Sequence, residues 1–317
     1  PPADRRSRIR GGRLARATAA PGDALTRYVR PNVVERRPAM TVLAHLIMVL
    51  GVAIIAFPVY VTLIASTQTS EQIVQNVPMS LAPGGNMLET YRVALLGGET
   101  SYGSKVPPVA PMLWVSFVMA MVIAVGKIAI SLLSAFAFVY FRFPGRSLCF
   151  WMVFVTLMLP VEVRIGPTYE VVSNLGMLNT YAGLTVPLIA SATATFLFRQ
   201  FFLTVPDELV EASRIDGAGP MRFFKDVLVP LSMTSVAALF VIQFIYGWNQ
   251  YLWPLLVTTT EDKYPIVMGI NRMFTGGDAA NEWNVIMATA ILAMLPPAFV
   301  VLAMQKWFVK GLVDTEK

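Results

Sequence analysis

Residues 207–230 read DELVEASRIDGAGPMRFFKDVLVP, a polar segment of mixed charge that lies between long apolar runs. The 317-residue chain is 56% hydrophobic and only 14% charged, whereas soluble globular proteins carry about 25% charged residues. Apolar runs of about 20 residues are long enough to span a bilayer as helices. The composition therefore predicts an all-α, polytopic membrane protein in which the quoted segment is a connection outside the lipid.

Six apolar runs are long enough to cross the membrane. The spans that we predict from them are 42–66, 111–140, 148–166, 182–203, 233–257 and 284–308. Lys and Arg are enriched in cytoplasmic loops. If the N-terminus is cytoplasmic, 19 of the 25 Lys and Arg residues lie on the inner side and five on the outer side, and Lys127 lies within a span. We therefore predict six transmembrane helices with both termini in the cytoplasm.

Residues 1–40 carry ten arginines, with Pro and Gly among them. We expect a disordered cytoplasmic tail that lies against anionic headgroups of the membrane lipids, and residues 41–317 form the transmembrane domain. A nucleic-acid-binding tail is the minor alternative. Because the positive charge marks the inner face of the membrane, it requires no nucleic-acid partner.

The loop 204–230 connects the fourth and fifth predicted spans on the cytoplasmic side. Thr204, Pro206 and Asp207 predict a helix start with a capping box. Gly217 is placed to end this helix in the left-handed conformation. A second short helix should open at Gly219–Pro220, and its apolar side chains recur at helical spacing. These are Phe223, Phe224, Val227 and Leu228.

Acidic side chains outnumber basic ones in 207–230, five to three. Helices that lie on anionic headgroups usually carry a Lys/Arg-rich face. The acidic excess therefore favours docking to a cytoplasmic protein over a hairpin lying on the lipid surface, although both interpretations remain open on these grounds.

The segment EASRIDGAGPMRFFKDVLVP (211–230) resembles the EAA loop of bacterial ABC-importer permeases. Glu211, Ala212, Gly217 and Pro230 match that pattern, while Ser213 replaces its second Ala. Val227 also matches, and Val229 replaces a Leu. The resemblance implies that the loop is a coupling helix seated in a cleft of an ATP-binding subunit. The coupling residues that it implies are Glu208, Glu211, Ala212, Asp216, Gly217, Pro220, Phe223 and Phe224.

Four further stretches, 157–184, 191–202, 244–256 and 308–317, resemble permeases that import sn-glycerol 3-phosphate and glycerophosphodiesters such as glycerophosphocholine. These belong to the maltose-type group of binding-protein-dependent permeases. The resemblance implies a type I importer transmembrane domain in a bacterial plasma membrane, forming half of a translocation pathway. Its implied partners are a second homologous permease, two copies of an ATP-binding subunit that hold ATP and Mg²⁺, and an extracytoplasmic substrate-binding protein.

Lys127 lies near the middle of the second predicted span, where an ionisable residue indicates a functional site by default. A structural pair with a carboxylate, or snorkelling toward the interface, is the alternative. For a phosphorylated cargo, a lysine in the pathway would offset the negative charge. The other side chains that we predict along the pathway are Glu162, Arg164, Trp248, Asn249 and Gln250. For Glu162 and Arg164 the alternative is a structural pairing with the sister subunit, and for the cluster 246–254 it is an aromatic belt at the membrane interface.

Other functions and cargoes are less favoured by the sequence. A secondary transporter often has inverted repeats and mid-membrane carboxylates, and we find neither. His45 and Cys149 are the only His and Cys, so we expect no catalytic residue, no metal site and no cofactor in this chain. A maltose-type sugar is the alternative cargo.

Overall fold

The computed structural model describes residues 38–99, 105–156, 159–274 and 281–313. Almost all of the predicted tail 1–40 lies outside these ranges. The chain divides into two units, which meet in sequence between Phe57 and Pro58. The structural description that follows concerns the second unit, except where α1 is named.

The described residues are mostly helical, with almost no strand, as predicted. The elements are α1 (Pro38–Thr67), α2 (Ser70–Gln75), α3 (Met87–Leu96), β1 (Gly98–Glu99), β2 (Lys105–Val106), α4 (Val109–Tyr140), α5 (Arg146–Val155), α6 (Val161–Asn174), α7 (Tyr181–Ile189), α8 (Ala192–Phe202), α9 (Asp207–Ile215), α10 (Pro220–Phe223), a π-helical turn (Phe224–Leu228), α11 (Val229–Leu231), α12 (Met233–Trp248), α13 (Leu252–Val257), a 3₁₀ turn (Glu261–Lys263), α14 (Ile266–Met273) and α15 (Trp283–Val313). The two short strands pair antiparallel.

Three continuous helices in the described ranges are long and apolar enough to cross a membrane: Met40–Thr67, Val109–Tyr140 and Trp283–Trp307. They correspond to the first, second and sixth predicted spans. Two further candidates are bent pairs, in which α7 and α8 meet at 43° and the segment Pro220–Leu231 meets α12 at 72°. By length and composition, the described chain therefore has three to five spans.

The third predicted span, 148–166, is not one continuous helix. α5 has only ten residues, and α6 begins after Pro160, whose backbone is extended. A proline has no N–H for the helix ladder and disfavours the helical conformation of the residue before it. Six continuous spans are therefore not observed in the described residues.

The fifth predicted span, 233–257, is also interrupted. α12 ends at Trp248, and α13 begins at Leu252 after a short break. Pro254 falls in the first turn of α13, where its missing N–H would have no partner within that helix. The break therefore separates two helices that the hydropathy of the sequence had merged into one.

α4 is the central helix of the second unit, and it contacts α7, α8, α12 and α14. The crossing with α12 is close. A Cβ atom added to Gly247 would lie 2.9 Å from the Cα of Ala120, nearer than real Cβ contacts allow. Glycine at this position lets the two backbones approach, and the crossing holds α12 beside the middle of α4.

Candidate functional site

The predicted coupling loop starts differently from the expected capping box. α9 begins at Asp207, its N-cap is Pro206, and no side chain caps it. Thr204 instead donates from Oγ1 to the Phe201 carbonyl, at 2.7 Å, because it belongs to the turn that closes α8. The capping-box prediction is therefore wrong. Asp207 and Glu208 still occupy the first turn of α9, where the helix dipole favours negative charge.

Gly217 ends α9 in the left-handed conformation, as predicted, with φ of +71°. The Ala218 N–H donates to the Ser213 carbonyl at 2.9 Å, and the Gly217 N–H donates to the Arg214 carbonyl at 3.0 Å. This pair of hydrogen bonds is the Schellman motif, which satisfies carbonyls left free at a helix end. The elbow between α9 and α10 therefore has a defined backbone geometry.

α9 has one face that packs inward and one that is exposed. Ser213 is buried and Val210 is half-buried, whereas Glu208, Glu211 and Ala212 are exposed. Ile215 shares the outward face and is 86% exposed. Ile215 is not among the coupling residues predicted from the sequence, although the spacing 208–211–215 places these three residues on one side of a helix.

Phe223 and Phe224, two of the predicted coupling residues, face the chain's own core. The Phe224 ring centroid lies 4.9 Å from that of Phe136 on α4, and the Phe223 centroid lies 5.4 Å from that of Tyr140. Phe223 is 6% exposed. These phenylalanines therefore fix the loop to the membrane helices.

The second helix of the loop begins as predicted and then departs from regular geometry. Gly219 is the N-cap and Pro220 the first residue of α10. The chain continues as the π-helical turn and α11, so the expected single short helix is not observed. Asp216, Gly217 and Pro220 are all exposed around the elbow, while Leu228, in the π-helical turn, is fully buried.

Lys127 is buried between α4 and α12, with 6% of its surface exposed. Its Nζ donates to Oε1 of Gln243 at 3.1 Å and lies 3.6 Å from the ring centroid of Tyr246. No described carboxylate forms an ion pair with it. Its partners in the described structure are therefore an amide and an aromatic ring, rather than the carboxylate of the structural alternative.

The remaining predicted pathway residues differ in exposure and in hydrogen-bond partners where the structure describes their side chains. Trp248 is buried, and its Nε1 donates to the Ala293 carbonyl at 3.1 Å, which joins α12 to α15. Gln250 folds back, with Nε2 donating to the Tyr246 carbonyl at 3.0 Å. Asn249 and Arg164 are exposed. The side chain of Glu162 lies outside the described residues.

A family model described as "Binding-protein-dependent transport system inner membrane component" matches residues 39–314. The chain belongs to this family. It is 60% identical over 286 residues to the "sn-glycerol-3-phosphate transport system permease protein UgpE" of Brucella melitensis, an alignment that covers 90% of this chain and all of that protein. The proteins of the same name from Agrobacterium fabrum and Escherichia coli O157:H7 are 59% and 57% identical, again over 90% of this chain and their full length.

A solved structure supports the fold of this family member. The chain superposes on a subunit of a bacterial ABC transporter involved in the import of the acidic polysaccharide alginate, with a TM-score of 0.69. The match covers 88% of this chain and all of that subunit, at 18% sequence identity. At this identity the likeness shows the fold alone, which is that of an ABC-importer permease.

Proposed function

We propose that this chain is one of two homologous permease subunits of an ATP-driven importer of sn-glycerol 3-phosphate or glycerophosphodiesters. The observation that carries the proposal is identity near 60% over the full length of permeases named for sn-glycerol-3-phosphate transport. The proposed location is a bacterial plasma membrane, with both termini and the loop 204–230 in the cytoplasm. An extracytoplasmic binding protein delivers the cargo to the outer mouth of the pathway.

ATP hydrolysis in this proposal belongs to two copies of a separate ATP-binding subunit. The exposed face of α9, with Glu208, Glu211 and Ile215, is the surface that we assign to the cleft of that subunit. An exposed apolar side chain that shares its helix face with two carboxylates suits a groove with both apolar and polar parts, as protein interfaces commonly have. Closure of the two ATP-binding subunits then displaces the loop.

The displacement reaches the membrane through the anchored end of the loop. Phe223 and Leu228 belong to one buried cluster with Phe136 of α4, Phe202 of α8 and Leu239 of α12. Because a packed core transmits displacement instead of absorbing it, motion of the loop moves three helices together. Rocking of the two permeases then exposes the pathway alternately to the outside and the cytoplasm.

Uptake in cells that lack their own glycerol-phosphate transport tests this proposal. We expect accumulation of labelled sn-glycerol 3-phosphate or glycerophosphocholine when the permease is expressed with its partner subunits, and none when the ATP-binding subunit is omitted. Uptake that persists without that subunit would contradict the ATP-driven mechanism. Uptake of maltose in place of both phosphate compounds would assign the alternative cargo.

A further inference from the structure

Lys127 stands in the middle of α4 on a row of buried side chains. Met119 and Ile123 precede it at intervals of one helical turn, and both pack in a cluster with Val172 of α6. A charged side chain is costly at this depth in a membrane. The interactions of its ammonium group must therefore offset this cost.

The partners of Lys127 orient the ammonium group without cancelling its charge. A carboxylate would form a neutral pair and leave little attraction for another anion. The amide of Gln243 and the ring of Tyr246 supply only a dipole and a quadrupole, neither of which neutralises a positive charge. A buried ammonium group whose described partners carry no negative charge is therefore a candidate binding site for an anion.

The donor geometry leaves room for such a ligand. A lysine ammonium has three N–H donors, and the described structure gives one of them to Gln243. Tyr246 lies against the same group but is 37% exposed, six times the exposed fraction of Lys127. The tyrosine ring is therefore the most exposed member of this group.

The interruption of the fifth predicted span lies directly beside this group. α12 ends at Trp248, two residues after Tyr246, and exposed Asn249 begins the break. Backbone that leaves a helix at membrane depth is tolerated where it is buried in protein or meets a water-filled cavity. The exposed amide favours the second setting, in which a hydrated cargo could reach the ammonium.

We propose that Lys127 binds the phosphate group of the cargo during its passage, and that the Tyr246 ring covers the ammonium when no cargo is present. This inference rests on the proposed function, because it requires a cargo that carries a phosphate monoester or phosphodiester. The phosphate replaces the ring as the neighbour of the ammonium, and the Gln243 hydrogen bond keeps the lysine in place. Once the phosphate departs, the ring returns.

The decisive variant is Lys127→Gln in the complete importer. A glutamine can still hydrogen-bond to Gln243, so a merely structural contact is retained while the charge is lost. We expect uptake of sn-glycerol 3-phosphate to fall at least about ten-fold, since a hydrogen bond to a charged group contributes about that factor or more. Lys127→Arg keeps the charge and should retain most of the uptake. Ser131→Ala, a buried polar change one turn along the same helix, is the matched control.

A charge swap distinguishes the loss of the positive charge from misfolding of the variant. Lys127→Gln combined with Gln243→Lys moves the cation from α4 to α12 and keeps a Lys–Gln pair. We expect the double variant to recover part of the uptake lost by Lys127→Gln. Each variant's uptake is divided by the amount of assembled complex, which is measured by co-purification of the ATP-binding subunit. Uptake measures transport of the cargo and not binding of a lipid. If Lys127 bound only a lipid phosphate, Lys127→Gln would leave uptake unchanged.

The outcomes separate this inference from the proposed function. If the unaltered importer does not take up phosphate-bearing cargo, the proposed function fails. If the unaltered importer does so and Lys127→Gln does equally well, only the role of Lys127 is overturned. If the Lys127→Gln complex does not assemble, the charge swap decides the question. A charge swap that assembles without recovering uptake would also overturn the role of Lys127, because a cation in this pair would then be insufficient for uptake.

Discussion

At the scale of single residues, two glycines of the coupling loop have different roles although both are exposed. Gly217 has φ of +71°, while Gly219 has φ of −73°. A Cβ atom at either position meets nothing within 4 Å. The two sites therefore differ in backbone conformation and not in available space, which makes them a matched pair.

We predict that Gly217→Ala strains the elbow and that Gly219→Ala does not. The left-handed conformation costs a residue with a Cβ about 1–2 kcal/mol, so Gly217→Ala should destabilise the loop by about that amount. Cargo uptake per ATP hydrolysed by the complete importer, together with hydrogen exchange at residues 212–220, measures the effect. Equal coupling and equal exchange in the two variants would contradict the importance of the elbow.

At the scale of elements, α9 and α10 differ in how they pack: α9 has an exposed face, and α10 leads into the buried end of the loop. The outward face of α9 exposes Ile215, and the inward face packs Ser213 and Val210 toward the chain's own helices. α10 and the π-helical turn then carry the anchoring side chains. Contact with a partner and attachment to the membrane helices are thus assigned to different residues, which mutations can separate.

We predict that Ile215→Ala weakens association with the ATP-binding subunit while leaving the permease stable. Burying an isoleucine side chain contributes about 1.5–3 kcal/mol, so the loss of its outer atoms should weaken association by about ten-fold. Binding of the purified permease to the ATP-binding subunit measures this change. Val210→Ala, on the opposite face, should lower thermal stability and leave association nearly intact. The reverse pattern would show that the inward face is the contact surface.

We predict that Phe223→Ala destabilises the anchored end of the loop. Replacement of a buried phenylalanine by alanine typically costs about 3–5 kcal/mol, because a cavity remains. Protease cleavage within 204–230 should become faster, and uptake per ATP should fall. The neighbouring Met221 is 61% exposed, so Met221→Ala is the control and should have little effect on cleavage. Similar cleavage rates in both variants would argue against the anchor.

The elements that the sequence predicts well are those whose causes are local. The long apolar runs of α1, α4 and α15, the left-handed Gly217 and the start of α10 at Pro220 depend on composition or on one residue's backbone preference. The direction of Phe223 and the partners of Lys127 depend on helices more than 80 residues away along the chain, and no local pattern encodes them. Prolines at 160 and 254 did indicate breaks, but the apolar character of their surroundings outweighed that signal in our span assignment.

At the scale of the whole molecule, the orientation in the membrane remains a prediction, based on the excess of Lys and Arg on one side. The single cysteine makes it accessible to experiment, since Cys149→Ser removes every thiol of the chain. Positions in exposed loops can then receive one cysteine each. The interrupted region 146–174 is the part of the topology that most needs this test.

We predict that a membrane-impermeant maleimide labels Met221→Cys and Pro144→Cys only from the cytoplasmic side. Leu175→Cys and Glu261→Cys should be labelled only from the outside. Right-side-out and inside-out vesicles provide the two directions of access. Labelling of Pro144→Cys and Leu175→Cys from the same side would mean that α5 and α6 do not together cross the membrane, and that the number of spans is five.

The separation of Lys127 from its partner also has a consequence for synthesis. Gln243 lies 116 residues further along the chain. At translation rates of about 5–20 residues per second, it is synthesised roughly ten seconds after Lys127. If α4 enters the bilayer during that interval, the Lys127 side chain has no Gln243 partner. A lysine at the centre of a helix raises the free energy of insertion by about 2.5–3.5 kcal/mol. The 32-residue length and apolar composition of α4 offset this penalty. Lys127→Leu should therefore increase the yield of inserted protein while it abolishes the attraction for phosphate.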